Sequence, residues 1–451
     1  METSSGDTKT SDIRAAYKLA DLAVGRDRPG GRYPRPVNVL LLGGGGREHA
    51  IGWKLAQSAH LTRLISAPGN PGLAQLGSTA PIDPGDPAAV LELAFSESVD
   101  VVVIGPEAPL AAGVADALGD AAIPVFGPVA AAARLETSKT FAKDIMRRAG
   151  VPTGGSETFA AADPAHAHLT KASGPYVIKA DGLAAGKGVL VTSDLDEAHA
   201  WVDDCFSGRF GTAGNLVVIE EFLDGDEISV FGLCDGTDVI GLRPARDYKR
   251  LADGDRGPNT GGMGSFTPVP GFGDDFVADT VEQMIKPVLD VLAEDGVPYV
   301  GFIYAGLMLT ADGPKVLEFN CRLGDPETQA LLPTMESDLL ELITACVNGS
   351  VRGMTVDWTD THAVNVVLAA KGYPEAPVKG DTISGLDHSD EDSVVFQAGT
   401  ATEGSRTITA GGRVLSIVGL GSDLDAARDA AYAGAATLDF AGKQYRTDIA
   451  T

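Results

Sequence analysis

The sequence predicts a mixed α/β and α+β protein: an N-terminal doubly wound parallel sheet domain, an α+β core and a small C-terminal α+β domain. Three observations lead there. Short apolar strands alternate with helical stretches after Val37, the pattern of a parallel sheet. The middle of the chain holds longer strand pairs that break at Asp235-Gly236 and Asp312-Gly313, a hairpin signal. The length, 451 residues with 44% hydrophobic and 22% charged, suits about three domains at roughly 150 residues each.

In order, Val37–Leu42 is a short buried strand ended by glycines, and a helix follows from about Arg47 to Ser58. Further strands fit Leu64–Ser66, Asp100–Ile104 and Pro124–Phe126, with an Ala-rich helix between the last two. After Val151-Pro152, Tyr176–Lys179 and Val189–Thr192 read as strands joined by a glycine-rich turn, and Leu216–Glu221 as another. Glu227–Arg243 and Phe302–Phe319 are the two strand pairs, so this region is mostly antiparallel. From about Asp357, strands at Ala363–Leu368, Val394–Ala398 and Val414–Gly419 precede a helix at Asp423–Leu438. Residues 1–36 read as an extension. Ser11-Asp12 suits the start of a short helix to Val24, and Gly25–Pro36 is a Gly-, Pro- and Arg-rich linker.

The formal net charge is −27, from 62 acidic and 35 basic residues. Such a balance argues against nucleic acid and anionic membranes as partners. No uncharged apolar run reaches the ~18 residues that span a bilayer. Four scattered cysteines without a CxxC pair imply neither a disulfide scaffold nor a zinc knuckle, and no secretory signal starts the chain, so a reducing cytoplasm is expected. The excess of Asp with scarce Lys fits a surface suited to strong salt or, equally, a coding bias.

Five motifs bear chemistry. Gly43-Gly44-Gly45-Gly46-Arg47-Glu48-His49 joins a strand to a helix, where free N–H groups and the helix dipole favour an anion. The G-x-G-x-x-G dinucleotide fingerprint is not completed, which leaves a nicotinamide site as the weaker alternative to a phosphorylated small molecule. Lys179-Ala180-Asp181-Gly182-Leu183-Ala184-Ala185-Gly186-Lys187-Gly188 is a glycine-rich turn with lysines on both sides, a cover for a triphosphate but not a Walker A loop. Glu220-Glu221-Phe222-Leu223-Asp224-Gly225-Asp226-Glu227 can offer a backbone edge to a base and a carboxylate to ribose. In Glu318-Phe319-Asn320-Cys321-Arg322, the side chains of Glu318, Asn320 and Arg322 share one strand face. The first two are hard oxygen ligands for Mg²⁺, and the third is a cation for a transferring phosphoryl group. Finally, Asp247-Tyr248-Lys249-Arg250 and Gly257–Gly264 make a polar loop poor in regular structure and rich in contact surface.

Taken together, the segments 43–50, 67–72, 104–110, 178–189, 258–264 and 318–329 resemble the glycinamide ribonucleotide synthetase family of ATP-grasp ligases, in order from about Val37 to Asp448. The resemblance implies an N-terminal substrate domain at 37–137 and an ATP-grasp core at 138–350 with a mobile flap subdomain at about 160–225. It also implies a C-terminal domain at 357–451. It implies ligation of glycine to 5-phosphoribosylamine with ATP, through a glycyl phosphate, in purine synthesis. Another ATP-grasp carboxylate–amine ligase is the alternative. By motif, Lys139, Lys179, Gly182, Gly186, Lys187 and Gly188 would meet the ATP phosphates. Glu220 and Phe222 would lie at adenine and Glu227 at ribose. Glu318 and Asn320 would hold Mg²⁺ or Mn²⁺, with a second carboxylate unassigned. Arg322, Asp247 and Lys249 would be catalytic, Arg322 facing the acyl phosphate and Asp247 the glycine ammonium. Gly45, Gly46, Arg47, Glu48 and Glu107 would contact phosphoribosylamine, and Asn259, Thr260, Gly261 and Gly262 would bind substrate as well. The partners would be these small molecules only, and the protein a monomer or weak homodimer. The family usually reads Gln-Asp-His-Lys-Arg where this chain has Arg246-Asp247-Tyr248-Lys249-Arg250.

Overall fold

The first strand, Val37–Gly43, is apolar except for the half-buried Asn38 and lies at the centre of a five-stranded parallel sheet. Its neighbours are Leu61–Pro68 on one side and Val101–Ile104 on the other, with Ser78–Thr79 and Val125–Phe126 outermost. The chain is described here from a computed structural model, over residues 36–183, 188–387 and 392–451. The expected helix at 11–24, its linker up to residue 35, and Gly186 and Lys187 lie outside the described residues. Because strand order reverses beside the first strand, its carboxyl end opens a crevice. Gly43 and Gly105 stand there side by side, where Gly105 N–H donates to Leu42 O at 3.1 Å.

Several local expectations need correction. The helix Pro87–Ser96, capped by Asp86 with Pro87 as its first residue, was not anticipated, although those two residues are its start signal. The single Ala-rich helix is two short ones, Glu107–Ala111 and Val114–Asp120, divided where Gly113 takes φ +78°. The flap subdomain forms a four-stranded antiparallel sheet in the order Ser156–Phe159, Val217–Glu220, Tyr176–Ala180, Val189–Thr192. Helix Leu195–Phe206 packs on it through Ala198, Val202 and Cys205.

The core is one eight-stranded sheet. Its order is Gly313–Asn320, Val300–Thr310, Asp226–Asp235, Val239–Asp247, Gly264–Thr267, His362–Ala369, Arg413–Gly421, Ser393–Gln397. The last three strands belong to the C-terminal unit, which therefore has no separate main sheet. Gly264–Thr267 is the seam, pairing with Val239–Asp247 on one edge and His362–Ala369 on the other. The loop expected to lack regular structure is partly strand for the same reason: Arg256–Asn259 pairs with Arg250–Ala252, and Gly264 already belongs to the seam. All four cysteines are free and buried, and no helix among the described residues is long and apolar enough to cross a membrane.

The C-terminal unit also closes on the N-terminal domain. Phe396 is fully buried and meets His49 and Trp53 edge-on, with ring centroids 5.5 and 5.8 Å away. Emptying a buried aromatic site costs about 3–5 kcal/mol. Phe396→Ala should therefore lower the unfolding midpoint in scanning calorimetry by several degrees; an unchanged midpoint would show that the two units do not depend on this contact.

Candidate active site

A cavity lies between the flap sheet and the eight-stranded sheet, lined by Lys139, Lys143, Lys179, Glu220, Glu318 and Asn320 among others. Helix Lys139–Ala149 supplies two of these lysines on one face, four residues apart. Lys179 comes from the flap strand, and Glu318 and Asn320 from the end of Gly313–Asn320. Lys139 Nζ donates to Gly182 O at 3.2 Å, and Asp181 accepts from Ser138 Oγ and Thr140 N–H, so the base of the glycine-rich turn is tied to the helix start. Gly182 could not be another residue without displacement, since its Cβ would lie 2.6 Å from that of Ala213. Gly188 O accepts from Ala180 N–H and closes the hairpin.

Glu220 is buried, and its carboxylate bridges Lys143 and Lys179 at 3.0 Å each. Phe222, just beyond the strand, is exposed. Lys143 was not singled out from the sequence, although its spacing from Lys139 on an amphipathic helix is the signal that finds it. Glu227, expected at ribose, forms an ion pair with Lys249.

The strongest electrostatic feature is the surround of Lys249. Burial works against its charge, yet Glu227, Asp247, Tyr304 and Glu318 outweigh it and hold the ammonium well above its ordinary pKa. Asp247 goes the other way: burial, reinforced by Glu327, Glu227 and Glu318, pushes its carboxyl well above the usual range despite Lys249. Glu327 is buried at the start of helix Glu327–Leu331 and accepts from Ser229 Oγ at 3.2 Å; burial raises its carboxyl too. Glu318 makes no hydrogen bond or ion pair among the described residues. Burial is outweighed there by Lys249, Lys179, Lys139 and Arg322, so it stays a carboxylate. Glu227 and Asp247 thus share Lys249 with Glu318 and Glu327, which face further cations as well, and the raised carboxyls of Asp247 and Glu327 suit a cationic ligand. The strand facing Glu318 offers Gly306 opposite it and no second carboxylate.

Arg322 is held by the almost enclosed Glu136 at 2.9 Å, with Glu107 at 3.6 Å, and its Nη2 donates to Asn320 Oδ1 at 3.3 Å. Its Nε has no hydrogen-bond partner among the described residues. Glu107 sits between Arg47 and Arg322, which outweigh its burial and keep it ionised. Arg47 also donates to Leu323 O at 3.3 Å, joining the Gly43–His49 loop to the segment after Asn320.

Several expected contact residues prove to order the loops themselves. Glu48 accepts from Gly45 N–H at 2.7 Å and from Arg47 Nε at 2.6 Å, and fills space that a Cβ at Gly43 or Gly105 would take. Gly43, at φ +120°, is required there. Thr260 Oγ1 donates to Lys249 O and accepts from Gly262 N–H. Gly262, at φ +111°, lets the loop pass Pro326, which a Cβ would approach to 2.3 Å. Gly261 N–H donates to the Tyr373 hydroxyl, Asn259 pairs with Arg250, and Gly46 packs beside Gln329. Arg246 lies 3.5 Å from Asp226, and the Tyr248 hydroxyl accepts from Ala450 N–H at 2.8 Å, so both unusual residues have partners within the fold.

Models of phosphoribosylglycinamide synthetase match three consecutive parts of the chain: the N domain at residues 37–136, the ATP-grasp (A) domain at 137–328 and the C domain at 363–451. The chain belongs to the phosphoribosylglycinamide synthetase family. It is 48% identical over 413 residues to a phosphoribosylamine–glycine ligase of Rhizobium meliloti, covering 92% of this chain and 98% of that protein. It is 47% identical over 415 residues to one of Ralstonia nicotianae, with the same coverage. A crystal structure of phosphoribosylamine–glycine ligase from Thermotoga maritima superimposes with a TM-score of 0.81 at 37% identity, over 92% of this chain and all of that one. A biotin carboxylase domain from Hydrogenobacter thermophilus shares the fold, with a TM-score of 0.72 at 14% identity over 91% of this chain and 92% of that one.

Within this synthetase fold the N domain is sealed to the C domain through His49. It is buried, its Nδ1 accepts from Gln397 N–H at 2.8 Å, and burial lowers its pKa from 6.5 to about 4. The native state therefore binds this proton less readily than the unfolded chain. Stability is fully present above pH 6.5 and is lost as pH falls towards 4, by about 3 kcal/mol for this drop of some 2.5 pKa units. His49→Gln should flatten the decline of denaturant stability between pH 6.5 and 4; an unchanged slope would mean that His49 does not contribute to it.

Proposed function

We propose that this chain ligates glycine to 5-phosphoribosylamine, consuming ATP and releasing glycinamide ribonucleotide, ADP and phosphate. The observation that carries the reading is Glu318. Its carboxylate stays ionised and has no hydrogen-bond or ion-pair partner among the described residues, stands two residues from Asn320, and lies between the lysines of the cavity and the acidic surround of Lys249.

Lys139 and Lys179 bind the ATP phosphates, and the segment from Gly182 to Gly188 covers them. Glu220 orients Lys179 and Lys143, and with Phe222 it lies towards the adenine. Glu318 and Asn320 offer the oxygen donors for Mg²⁺, or Mn²⁺ in its place; the metal neutralises phosphate charge when bound. Asp247 and Glu327 receive the glycine ammonium, which supplies the positive charge that their surroundings lack. Lys249 faces the same space and steadies the glycine carboxylate while it attacks the γ-phosphorus and ADP departs. Arg322, fixed by Glu136 and Glu107, then stabilises the acyl phosphate. The phosphoribosylamine nitrogen, positioned by the Gly45–Arg47 loop, Glu107 and the Asn259–Gly262 loop, attacks the acyl carbon. The C–O bond to phosphate breaks, and the departing phosphate takes the amine proton. Catalysis is positioning and charge stabilisation with no protein nucleophile, and exclusion of water protects the acyl phosphate.

These substrates are all small molecules. The reaction, the acidic chain and its reduced cysteines suit the cytoplasm. A coupled assay should detect ADP release that requires glycine, Mg²⁺ and freshly made phosphoribosylamine together; release independent of either co-substrate would refute the ligase reading. Glu318→Gln should lower kcat by about 10²-fold or more, as expected for loss of a charge-stabilising group, while far-UV circular dichroism stays unchanged. Near-wild-type turnover would remove Glu318 from the metal site.

A further inference from the structure

We propose that Arg413 is a positioning residue for the phosphoribosyl substrate: its single guanidinium, supplied by the C domain, locks together the loops that form that half of the site. The proposal rests on the ligase reading above. Arg413 is the first residue of strand Arg413–Gly421. Its Nη1 donates to Gly261 O at 2.5 Å and to Asp325 O at 2.6 Å, and its Nη2 lies 3.2 Å from Asp325 Oδ2. These partners are 152 and 88 residues away in sequence.

Each contact leads on to a loop facing the substrate. The guanidinium lies flat against Gly261, where a Cβ would come within 3.0 Å of its central carbon. Asp325 is kept ionised against its burial by Arg413 and Arg47, and it accepts from Gln329 Nε2 at 2.7 Å. A Cβ on Gly46 would lie 2.6 Å from that same Nε2, so Gln329 abuts the glycine loop of the N domain. The loops at 43–46, 259–262 and 323–329, from different parts of the chain, thus share one fastening. A planar fork can reach two backbone oxygens and a carboxylate at once; a lysine ammonium cannot hold that geometry. The ATP cavity is built from other residues and does not include Arg413.

The test is equilibrium binding of the stable product, glycinamide ribonucleotide, by titration calorimetry, with MgADP titrated separately. Arg413→Gln should weaken the product by about ten-fold or more, the order of one lost charge-assisted contact, and leave MgADP affinity within about two-fold. Arg413→Lys should recover only part of the loss. Gly261→Ala, which displaces the guanidinium without removing its charge, should reproduce the effect. Wild-type product affinity in Arg413→Gln would overturn the proposal. So would equal loss of both ligands in Arg413→Gln together with wild-type product affinity in Gly261→Ala. If the wild-type protein itself fails to bind the product, the ligase reading fails rather than the fastening.

Discussion

Charges partly withdrawn from water are stabilised by opposite charge close by, and the half-buried space around Lys249 is organised by that constraint. One ammonium is shared by Glu227, Asp247 and Glu318, with Glu327 beside them. The compensation is incomplete, and the sign of what is missing is positive. A metal ion at Glu318 and an ammonium at Asp247 would supply it. On the other side of the cavity the balance reverses, with Lys139, Lys143 and Lys179 around Glu220, and there an anionic triphosphate is wanted. The fold places these two half-sites next to each other by ending Gly313–Asn320 against helix Lys139–Ala149.

The rest of the architecture serves this arrangement. The eight-stranded sheet carries Glu227 and Asp247 on adjacent strands and Glu318 on a strand separated from that of Glu227 by Val300–Thr310, and extends without interruption into the C domain. The flap sheet delivers Lys179 and Glu220. The parallel sheet ends in glycines where it meets the core, so that Arg47 and Glu107 reach Arg322. The net charge of the chain is −27, yet Lys139, Lys143 and Lys179 gather around one cavity.

Much of this was legible in the sequence because it is written in local patterns. The hairpins at Asp235-Gly236 and Asp312-Gly313 and the alternation after Val37 follow from turn chemistry and periodicity. Glu318 with Asn320 follows from the two-residue repeat of a strand. What was not legible depends on distant partners. Nothing near Arg413 announces that it meets Gly261 and Asp325. That Glu48 and Thr260 brace their own loops is visible only in the folded geometry. The continuous sheet was missed because its seam, Gly264–Thr267, is short and lies next to a loop whose composition predicts no strand. Tyr248, an unexplained departure in the sequence, is accounted for by a hydrogen bond across 202 residues.

The central claim, that the unbalanced carboxylates around Lys249 form the glycine site, is tested most directly by titrating glycine into the MgADP-loaded protein and its Asp247→Asn variant. The account predicts that the substitution weakens glycine by about ten-fold or more, the value of one charge-assisted contact, while MgADP binds as in the wild type. Glycine affinity unchanged by Asp247→Asn would contradict it.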